Sequence, residues 1–354
     1  MQITTPGRIC LFGEHQDYLG LPIIALAISL RSKISAVKRK DRKIIINMPD
    51  LDKVEKFSLE DLSYSKERDY FKSAIKVCQR EGLSFSRGFD SVIKSEIPIQ
   101  AGASSSSSII VGWIKLISKL SDNPPNWDNQ NIGRLAYEAE VLEFDEPGGM
   151  MDQYSTAIGD CIHLTQEPLK IEKLNPGLDK FVLGNSNQPK DTLNILQRCR
   201  NQRTLMMAKL NKQYPDLDFR NCDLEHGDSI LNSKEMVLLE ATVKNREILI
   251  QAKKELLSSN INHAKIGQLL SDHHKVLRDL LKISTNKIEK MIDASMEAGA
   301  LGAKINGSGG GGCMFAYAPE DPHKIVNAIK KAGGHATIIH SLSLIHISEP
   351  TRPY

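Results

Sequence analysis

Three segments rich in glycine and serine lie in a fixed order along the chain, and the middle one has the residue types to bind an anion. Residues 98–108 contain Gly102 and five consecutive serines directly before an apolar helical pattern. A loop that enters a helix leaves backbone N–H groups unpaired, and they point at whatever lies on the helix end. Serine hydroxyls there can also reach a phosphate oxygen or a metal ion. The sequence therefore predicts a phosphate-binding loop, with a flexible low-complexity linker as the alternative.

The first and third segments are polar or glycine-rich loops that could complete a cleft around this site. The first reads PGR at residues 6–8 and GEHQDY at residues 13–18, and the third reads KINGSGGGGC at residues 304–313. Inside the first segment, a stretch of only four residues contains the polar side chains of Glu14, His15 and Asp17. Together they offer several acceptors and a donor, which suits a polyol ligand. A hydrogen-bonded turn without a ligand role is the alternative.

Composition favours a globular protein and argues against two functional classes. The 354 residues are 40% hydrophobic and 25% charged, which is ordinary for a globular chain long enough for two domains. A net charge of +3 and the lack of a basic block argue against a nucleic-acid partner. We find no apolar stretch long enough for a membrane span and no signal-peptide pattern. Six scattered cysteines favour reduced thiols, so we expect a cytoplasmic protein.

The order of strand and helix patterns predicts an α+β fold. Residues rich in β-branched and aromatic side chains predict strands at 1–9, 22–30, 34–37, 43–46, 89–97 and 181–183. Apolar residues at helical spacing predict helices at 109–120, 132–144, 228–256, 264–281 and 322–331, and a further helix beginning near 191. Residues 302–318 predict a strand, a loop and a strand. Because strands and helices do not alternate strictly, the pattern indicates α+β.

The last fourteen residues differ from the rest of the chain. Residues 341–354 read SLSLIHISEPTRPY and do not continue the preceding pattern. They resemble translated adaptor or vector sequence, and we expect a non-native tail; a genuine polar tail is the alternative.

Taken together, the three segments resemble the motifs of the GHMP small-molecule kinases, the family named for galactokinase, homoserine kinase, mevalonate kinase and phosphomevalonate kinase. The resemblance covers roughly residues 4–340, and it is specific because three motifs occur in the right order, whereas a lone glycine run is a weak signal. It implies a two-domain GHMP kinase fold. Residues 1–160 would form a ribosomal-protein-S5-like nucleotide-binding domain, and residues 161–340 a ferredoxin-like domain.

The resemblance implies that the serine loop binds ATP and Mg²⁺. The implied ATP contacts are Gly102, Ala103, Ser104, Ser105, Ser106, Ser107 and Ser108. Ala103 and Ser107 replace the family's usual leucine and alanine, but both are small, so the loop can still close. In this alignment Ser106 matches the serine that holds Mg²⁺ in relatives. Glu140, seven residues before Pro147, has the spacing of the second ligand, and Mg²⁺ prefers oxygen ligands; a solvated helix glutamate is the alternative.

Residues 147–153, which read PGGMMDQ, are similar to a PxGxMDQ turn in the galactokinase branch of the family. In that branch the aspartate lies beside the attacking hydroxyl, which implies Asp152 as the catalytic base. Adjacent glycines allow close approach of the backbone to a ligand, so Gly149 is a candidate substrate contact. Arg8 beside Asp152 would keep the carboxylate ionised and offset charge on the transferring phosphoryl group. A helix cap is the alternative role for Asp152.

The signals for the substrate conflict. Asp17 and Tyr18 in the first segment, and HKVLRD at residues 274–279, resemble the galactokinase branch, whereas GAKINGSGGGG at residues 302–312 is closer to mevalonate kinase. We give more weight to the first segment because it would touch the substrate. The prediction is ATP-dependent phosphorylation of a sugar, galactose at its anomeric hydroxyl. The alternatives are a kinase for N-acetylgalactosamine or mevalonate, and a non-catalytic galactokinase-like sensor. A monomer is compatible with the sequence, which specifies neither the oligomeric state nor the adenine pocket.

Overall fold

The computed structural model describes residues 1–99, 101–189, 191–342 and 347–348. The strands of this part of the chain are β1 (Gln2–Phe12), β2 (Ile23–Lys38), β3 (Lys43–Met48), β4 (Lys53–Ser58), β5 (Phe89–Ser95), β6 (Cys161–Gln166), β7 (Leu169–Lys173), β8 (Phe181–Asn185), β9 (Gly302–Ile305), β10 (Cys313–Tyr317), β11 (His335–Ile339) and β12 (Ile347–Ser348). The α-helices are α1 (Tyr70–Arg80), α2 (Ser105–Leu120), α3 (Asn129–Glu140), α4 (Met151–Ile158), α5 (Thr192–Leu210), α6 (Ser233–Leu256), α7 (His263–Lys275), α8 (Asn286–Glu297) and α9 (Pro322–Lys331). The elements confirm the predicted α+β class.

The first sheet has the strand order β12–β1–β2–β5–β3–β4, and β6 and β7 extend it from β2. Its neighbouring strands are antiparallel except for β3 and β5. The long strand β2 has a different partner at each end, since residues 23–26 pair with β6 and residues 32–38 pair with β5. Helix α2 packs on β1 and β2, and α1, α3 and α4 pack around α2. This arrangement places the start of α2 beside the middle of β1, where Thr5 bonds to Ser108 and the backbone of Arg8 bonds to Ala103.

The second sheet has the order β11–β8–β10–β9 and is antiparallel throughout. Helices α8 and α9 pack on it, and α7 packs on β9. One apolar cluster joins the two sheets, with Ile9 and Leu11 of β1 buried together with Phe181 of β8 and Phe315 of β10. The third glycine-rich segment, between β9 and β10, is thereby fixed relative to β1.

The predicted boundary at residue 160 falls between α4 and β6. The strands β6 and β7 follow that boundary but belong to the first sheet, because β6 pairs with β2 from Ile23 to Leu26. The first sheet therefore takes strands from both sides of the predicted division.

Parts of the predicted tail are described and parts are not. Residues 343–346 and 349–354 lie outside the described residues. Ser341 forms a bridge with Ile28, and the backbone of Leu342 bonds to Ala27 and Asp160. The backbone of Ile347–Ser348 pairs with β1. Whether these residues are native stays a prediction. Among the described helices none is both long and apolar enough to cross a membrane.

Candidate active site

The three glycine- and serine-rich segments meet at one cavity of about 420 Å³. Residues 148–153 form a further part of its wall. From these four stretches the cavity is lined by Arg8, Glu14, His15, Asp17, Tyr18, Gly102, Ser104, Ser105, Ser106, Ser107, Gly148, Gly149, Met151, Asp152, Gln153, Gly307 and Ser308. The fold thus brings both ends of the chain to one site.

Arg8 and Asp152 form an ion pair at this cavity. Arg8 lies on β1 and Asp152 in the first turn of α4. Nε and Nη2 of Arg8 both donate to Oδ1 of Asp152, at 2.8 and 2.6 Å, and Nη1 donates to the carbonyl of Gly102 at 2.5 Å. Burial acts to lower the pKa of Arg8, but Asp152 and Glu14 raise it above its ordinary value, so the guanidinium stays charged. Because both bonds go to Oδ1, the oxygen of Asp152 available to an incoming hydroxyl is Oδ2.

Asp17 is buried directly against Gly149. Its Oδ2 accepts a hydrogen bond from the backbone N–H of Met151 at 3.2 Å. A Cβ at Gly149 would lie 2.1 Å from that same oxygen, so only glycine permits this approach. Burial, and then the charge of Asp152, raise the pKa of Asp17 from 3.8 to about 6. Beside Asp152, the site therefore holds a buried carboxyl group, Asp17, whose ionised form is disfavoured by its surroundings.

Glu14 belongs to a buried ion pair. Its Oε2 accepts a hydrogen bond from Nζ of Lys304 at 3.0 Å, and the two side chains are 2% and 0% exposed. Lys304 also donates to the carbonyl of Cys10 at 2.9 Å. Sequence analysis identified Glu14 but missed Lys304, although a single lysine within the apolar strand β9 was a signal that could have found it. The pair joins the first segment to the third.

His15 is held in one tautomer by a chain of hydrogen bonds. Nε2 lies 3.0 Å from the carbonyl oxygen of Ser308 and so carries the proton, and Nδ1 accepts from the Tyr18 hydroxyl at 2.8 Å. That hydroxyl accepts from Nη2 of Arg203 at 2.5 Å. Burial, and then the charge of Arg203, lower the pKa of His15 from 6.5 to about 3, so the imidazole is neutral. Arg203 lies on α5, is fully buried, and was missed in the sequence because one arginine among several on a helix carries no signal.

The serine loop enters α2 through a left-handed residue. Ser104 precedes the helix with φ of 60°, and its side chain does not cap the helix. Residues 104–107 line the cavity, so the first turn of α2 presents its N–H groups there. Two predicted contacts lie on the buried side of the loop, where Ser108 donates to the carbonyl of Thr5 at 3.1 Å and Ala103 is fully buried. These two residues support the loop and do not line the cavity.

The predicted metal ligands Ser106 and Glu140 lie together. Glu140 ends α3 and is buried; it accepts a hydrogen bond from Nε2 of Gln153 at 2.7 Å, and the hydroxyls of Ser106 and Ser107 are near enough to lower its pKa against the effect of burial. Burial raises the pKa of Glu140. A hydroxyl and a carboxylate are oxygen ligands that fit Mg²⁺, which usually keeps water and phosphate oxygens as well. Within the described ranges no three His, Cys, Asp or Glu side chains could hold a metal ion together.

The third segment supports the serine loop. The side chain of Asn306 accepts from the backbone N–H of Cys10 at 2.9 Å and donates to the carbonyl of Gly102 at 2.8 Å. Gly307 has φ of 77°, and a Cβ there would lie 2.8 Å from the same carbonyl. The glycine run therefore allows a close backbone approach that fixes the loop against β1.

A further part of the cavity wall is mostly apolar, although Asp50 and Ser95 also belong to it. It includes Met48, Leu51, Tyr70, Ile93, Ile99 and Ile109. Sequence analysis did not locate this region, because each of its elements contributes only one or two residues to it.

Comparison with known proteins identifies the family of the chain. The chain matches the GHMP kinases N terminal domain over residues 69–160, the GHMP kinases C terminal domain over 252–335, and the galactokinase galactose-binding signature over 2–37. It is 30% identical over 348 residues to mevalonate kinase of Thermococcus gammatolerans, covering 94% of this chain and 93% of that protein. It is 29% identical over 333 residues to galactokinase of Clostridium perfringens, covering 88% and 84%.

Solved structures show the same fold. The crystal structure of Lactococcus lactis galactokinase complexed with galactose gives a TM-score of 0.85 at 24% identity, covering 97% of this chain and 93% of that one. Methanococcus jannaschii mevalonate kinase gives 0.74 at 23% identity, covering 97% and 98%.

The fold and the site thus define an ATP-dependent small-molecule kinase. The chain belongs to the GHMP kinase family and carries the signature of its galactokinase branch. The predicted family and the two-domain GHMP kinase fold are confirmed.

Proposed function

We propose that the protein transfers the γ-phosphoryl group of ATP to the anomeric hydroxyl of galactose. The observation that carries this proposal is the buried carboxylate of Asp17, held against Gly149 within electrostatic reach of Asp152. A buried carboxylate can accept hydrogen bonds from two neighbouring hydroxyls of a sugar, and it is left unpaired by a ligand that lacks them. Asp17 also lies within the match to the galactose-binding signature.

Asp152 and Arg8 would then perform the transfer. The anomeric oxygen attacks the γ-phosphorus while its proton moves to Oδ2 of Asp152, and the bond from phosphorus to the β,γ-bridging oxygen breaks to release ADP. Arg8, already bonded to Oδ1, offsets charge that develops on the transferring group. The first turn of α2 would hold the phosphates through its N–H groups.

Ser106 and Glu140 would hold Mg²⁺, which neutralises charge on the phosphates when it is bound with ATP. The mostly apolar part of the cavity would receive the adenine ring between side chains such as Met48, Ile93 and Ile109. Both assignments rest on the residues' positions along one continuous cavity.

A mevalonate kinase is the second candidate. It is favoured by the third segment, by Lys304 within it and by the identity to the Thermococcus gammatolerans enzyme. The charges of the cavity favour a neutral acceptor instead. Its two lining arginines, Arg8 and Arg68, are both paired with carboxylates, while Asp17 adds a negative charge that would repel mevalonate.

The test is a panel of acceptors with Mg-ATP, scored by ADP release, with the product identified by phosphorus NMR. The panel contains galactose, glucose, N-acetylgalactosamine and mevalonate. We expect galactose 1-phosphate, and a preference for galactose over glucose on the order of 10²-fold in kcat/KM. Turnover of mevalonate alone would overturn the galactose assignment, and sugar binding without ADP release would indicate a sensor.

A further inference from the structure

A second cavity of about 430 Å³ lies next to the active-site cavity. The two share Tyr18, Val141, Glu146 and Gly148 as a common wall. Small-molecule sites enclose roughly 300–1,000 Å³, so the second cavity has room for a whole sugar ring. None of its own wall residues has a part in the transfer described above.

Gly148 belongs to the wall shared by the two cavities and leaves space there. A Cβ at this position would find its nearest neighbour, a methyl group of Val141, at 3.9 Å, and the backbone is not left-handed. A side chain would therefore fit here, in contrast to Gly149, where a Cβ would collide with Asp17. The absence of a side chain at Gly148 is not required by the backbone, and it leaves space at the wall that the two cavities share.

Two polar side chains of the second cavity are available to a ligand. Tyr137 and Arg200 line it, and within the described part of the chain neither side chain makes a hydrogen bond or an ion pair. Burial, and then Asp17, raise the pKa of the Tyr137 phenol, and Arg200 opposes this shift. Tyr137 is thus within electrostatic reach of both the sugar site and Arg200, and its hydroxyl keeps its proton as a donor.

The charges of the second cavity favour a neutral ligand. Its charged side chains are four carboxylates and two arginines, namely Asp145, Glu146, Glu167, Asp218, Arg200 and Arg220. Arg220 is paired with Asp218 at 2.5 Å, and Glu146 with Arg68 at 2.9 Å. The excess of carboxylates repels a phosphate or carboxylate group, and the unpaired Arg200 disfavours a cation. Hydroxyl groups can accept from Arg200 and Tyr137 and donate to the carboxylates, and the rings of Tyr18 and Phe219 add flat apolar surface.

We propose that this second cavity binds a neutral sugar ring attached to the acceptor, so that the enzyme phosphorylates a disaccharide. The reducing-end unit would occupy the site beside Asp17 and Asp152 with its anomeric hydroxyl free, and the second ring would pass Gly148 to reach Tyr137 and Arg200. This inference rests on the proposed sugar kinase function and names its substrate class.

The experiment compares galactose with galactosyl-galactose disaccharides linked through O3, O4 or O6 of the reducing unit, using ADP release. Galactose 6-phosphate and mevalonate complete the panel. We expect at least one disaccharide to exceed galactose in kcat/KM. Arg200→Gln and Tyr137→Phe should each lower kcat/KM for that disaccharide on the order of 10-fold, the value of one or two lost hydrogen bonds, and leave galactose unchanged. Lys209→Gln, an exposed change on the same helix α5, is the matched control.

The outcomes separate the two proposals. Turnover of galactose without any disaccharide overturns the second sugar site and leaves the sugar kinase intact. Turnover of mevalonate alone overturns both. A preference for galactose 6-phosphate would indicate that the second cavity binds an anionic group, and it would contradict the proposed site for a neutral sugar ring. Equal losses with galactose and disaccharide in the two variants would show that Arg200 and Tyr137 act on the fold; thermal unfolding of each variant checks that directly.

Discussion

Asp152 and Asp17 line the same cavity but lie in different environments, and this suits them to different roles. Asp152 is bonded through one oxygen to Arg8 and keeps a third of its side chain exposed, whereas Asp17 is buried beside Gly149. The pKa of Asp17 rises to about 6 because burial and the charge of Asp152 both disfavour its ionised form. Asp152 suits proton transfer at an open face, and Asp17 suits recognition of hydroxyl groups.

Asp152→Asn should abolish turnover and leave ATP binding within a few-fold. The amide keeps the shape of the carboxylate but cannot accept the proton, and loss of a general base typically costs ~10²–10⁴-fold in rate. Steady-state ADP release and a nucleotide titration by calorimetry measure the two effects. Near-full activity in this variant would mean that the Arg8 pair only holds the fold together.

Asp17→Asn should stabilise the ligand-free protein at pH 7.5. With a pKa of about 6 in the folded state against 3.8 in the unfolded state, Asp17 is neutral in both states at low pH. As the pH rises from 3.8 to about 6, the unfolded state ionises while the buried carboxyl stays neutral, so the fold loses stability, and above pH 6 the loss reaches about 3 kcal/mol. The gain from the substitution should therefore shrink as the pH falls from 7.5 towards 4, which urea unfolding at several pH values can follow. Asp293→Asn, at an exposed position on α8, is the control; if Asp17→Asn made the protein less stable at pH 7.5, the account would be refuted.

Ser106→Ala should raise the Mg²⁺ concentration needed for half-maximal activity far more than the sugar KM. The hydroxyl lies at Glu140, on the nucleotide side of the cavity, and is proposed to touch the ion. Ser108→Ala is a control on the same helix, since that hydroxyl bonds to Thr5 outside the cavity. An unchanged Mg²⁺ titration with a changed sugar KM would show that the serine loop is aligned wrongly.

At the scale of elements, the sequence predicted those helices and strands that have regularly spaced apolar residues over a long stretch, or clear capping or turn residues at their ends. The apolar spacing from Ile109 to Leu120 predicted α2, and the helix predicted to begin near residue 191 is α5, which Asp191 caps by accepting from the N–H of Asn194. The two strands predicted at 22–30 and 34–37 are one strand, β2, because its central residues are only half-buried and broke the apolar pattern. The predicted helix at 132–144 ends at Glu140 and continues as a short 3-10 turn.

The elements that were missed include α1, α8, β4, β6, β7 and β11. Helices α1 and α8 do carry apolar residues at helical spacing, and this signal was overlooked. Strands β4 and β7 are short and mostly polar, and they are stabilised by pairing with their neighbours. The candidate site shows the same limit. Motifs identified the residues along each loop, but the partners Lys304 and Arg203 come from distant elements, and only the fold brings them to Glu14 and Tyr18.

The turn before α4 offers a matched pair of glycine substitutions. Gly149→Ala should raise the sugar KM by at least ~10-fold, since the new methyl group must displace the Asp17 carboxylate and disrupt its hydrogen bond to Met151. Gly148→Ala, one residue earlier, meets only open space and should keep the stability of the parent. Kinetics with galactose and thermal unfolding of both variants test this. Equal behaviour of the two would mean that Asp17 is not held by close packing.

At the scale of the whole molecule, the site exists only where the two sheets meet. Arg8 and Glu14 lie on or beside β1, Lys304 lies on β9, and Asn306 bonds to both Cys10 and Gly102. The shared apolar cluster holds these elements together. A kinase built in this way depends on contacts across the interface between the sheets, and the buried Lys304–Glu14 pair is a charged contact among them.

Lys304→Met should destabilise the protein strongly, because it leaves the Glu14 carboxylate buried without its cation. Breaking one side of a buried ion pair costs about 3–5 kcal/mol, whereas replacing both partners with apolar residues of similar size is often neutral. The double variant Lys304→Met with Glu14→Leu should therefore recover most of the lost free energy of unfolding while remaining inactive on sugar. Urea unfolding of the two single variants and the double variant forms a double-mutant cycle that isolates the coupling. Additive losses in that cycle would show that the two charges stabilise the interface independently, contrary to the 3.0 Å contact that joins them.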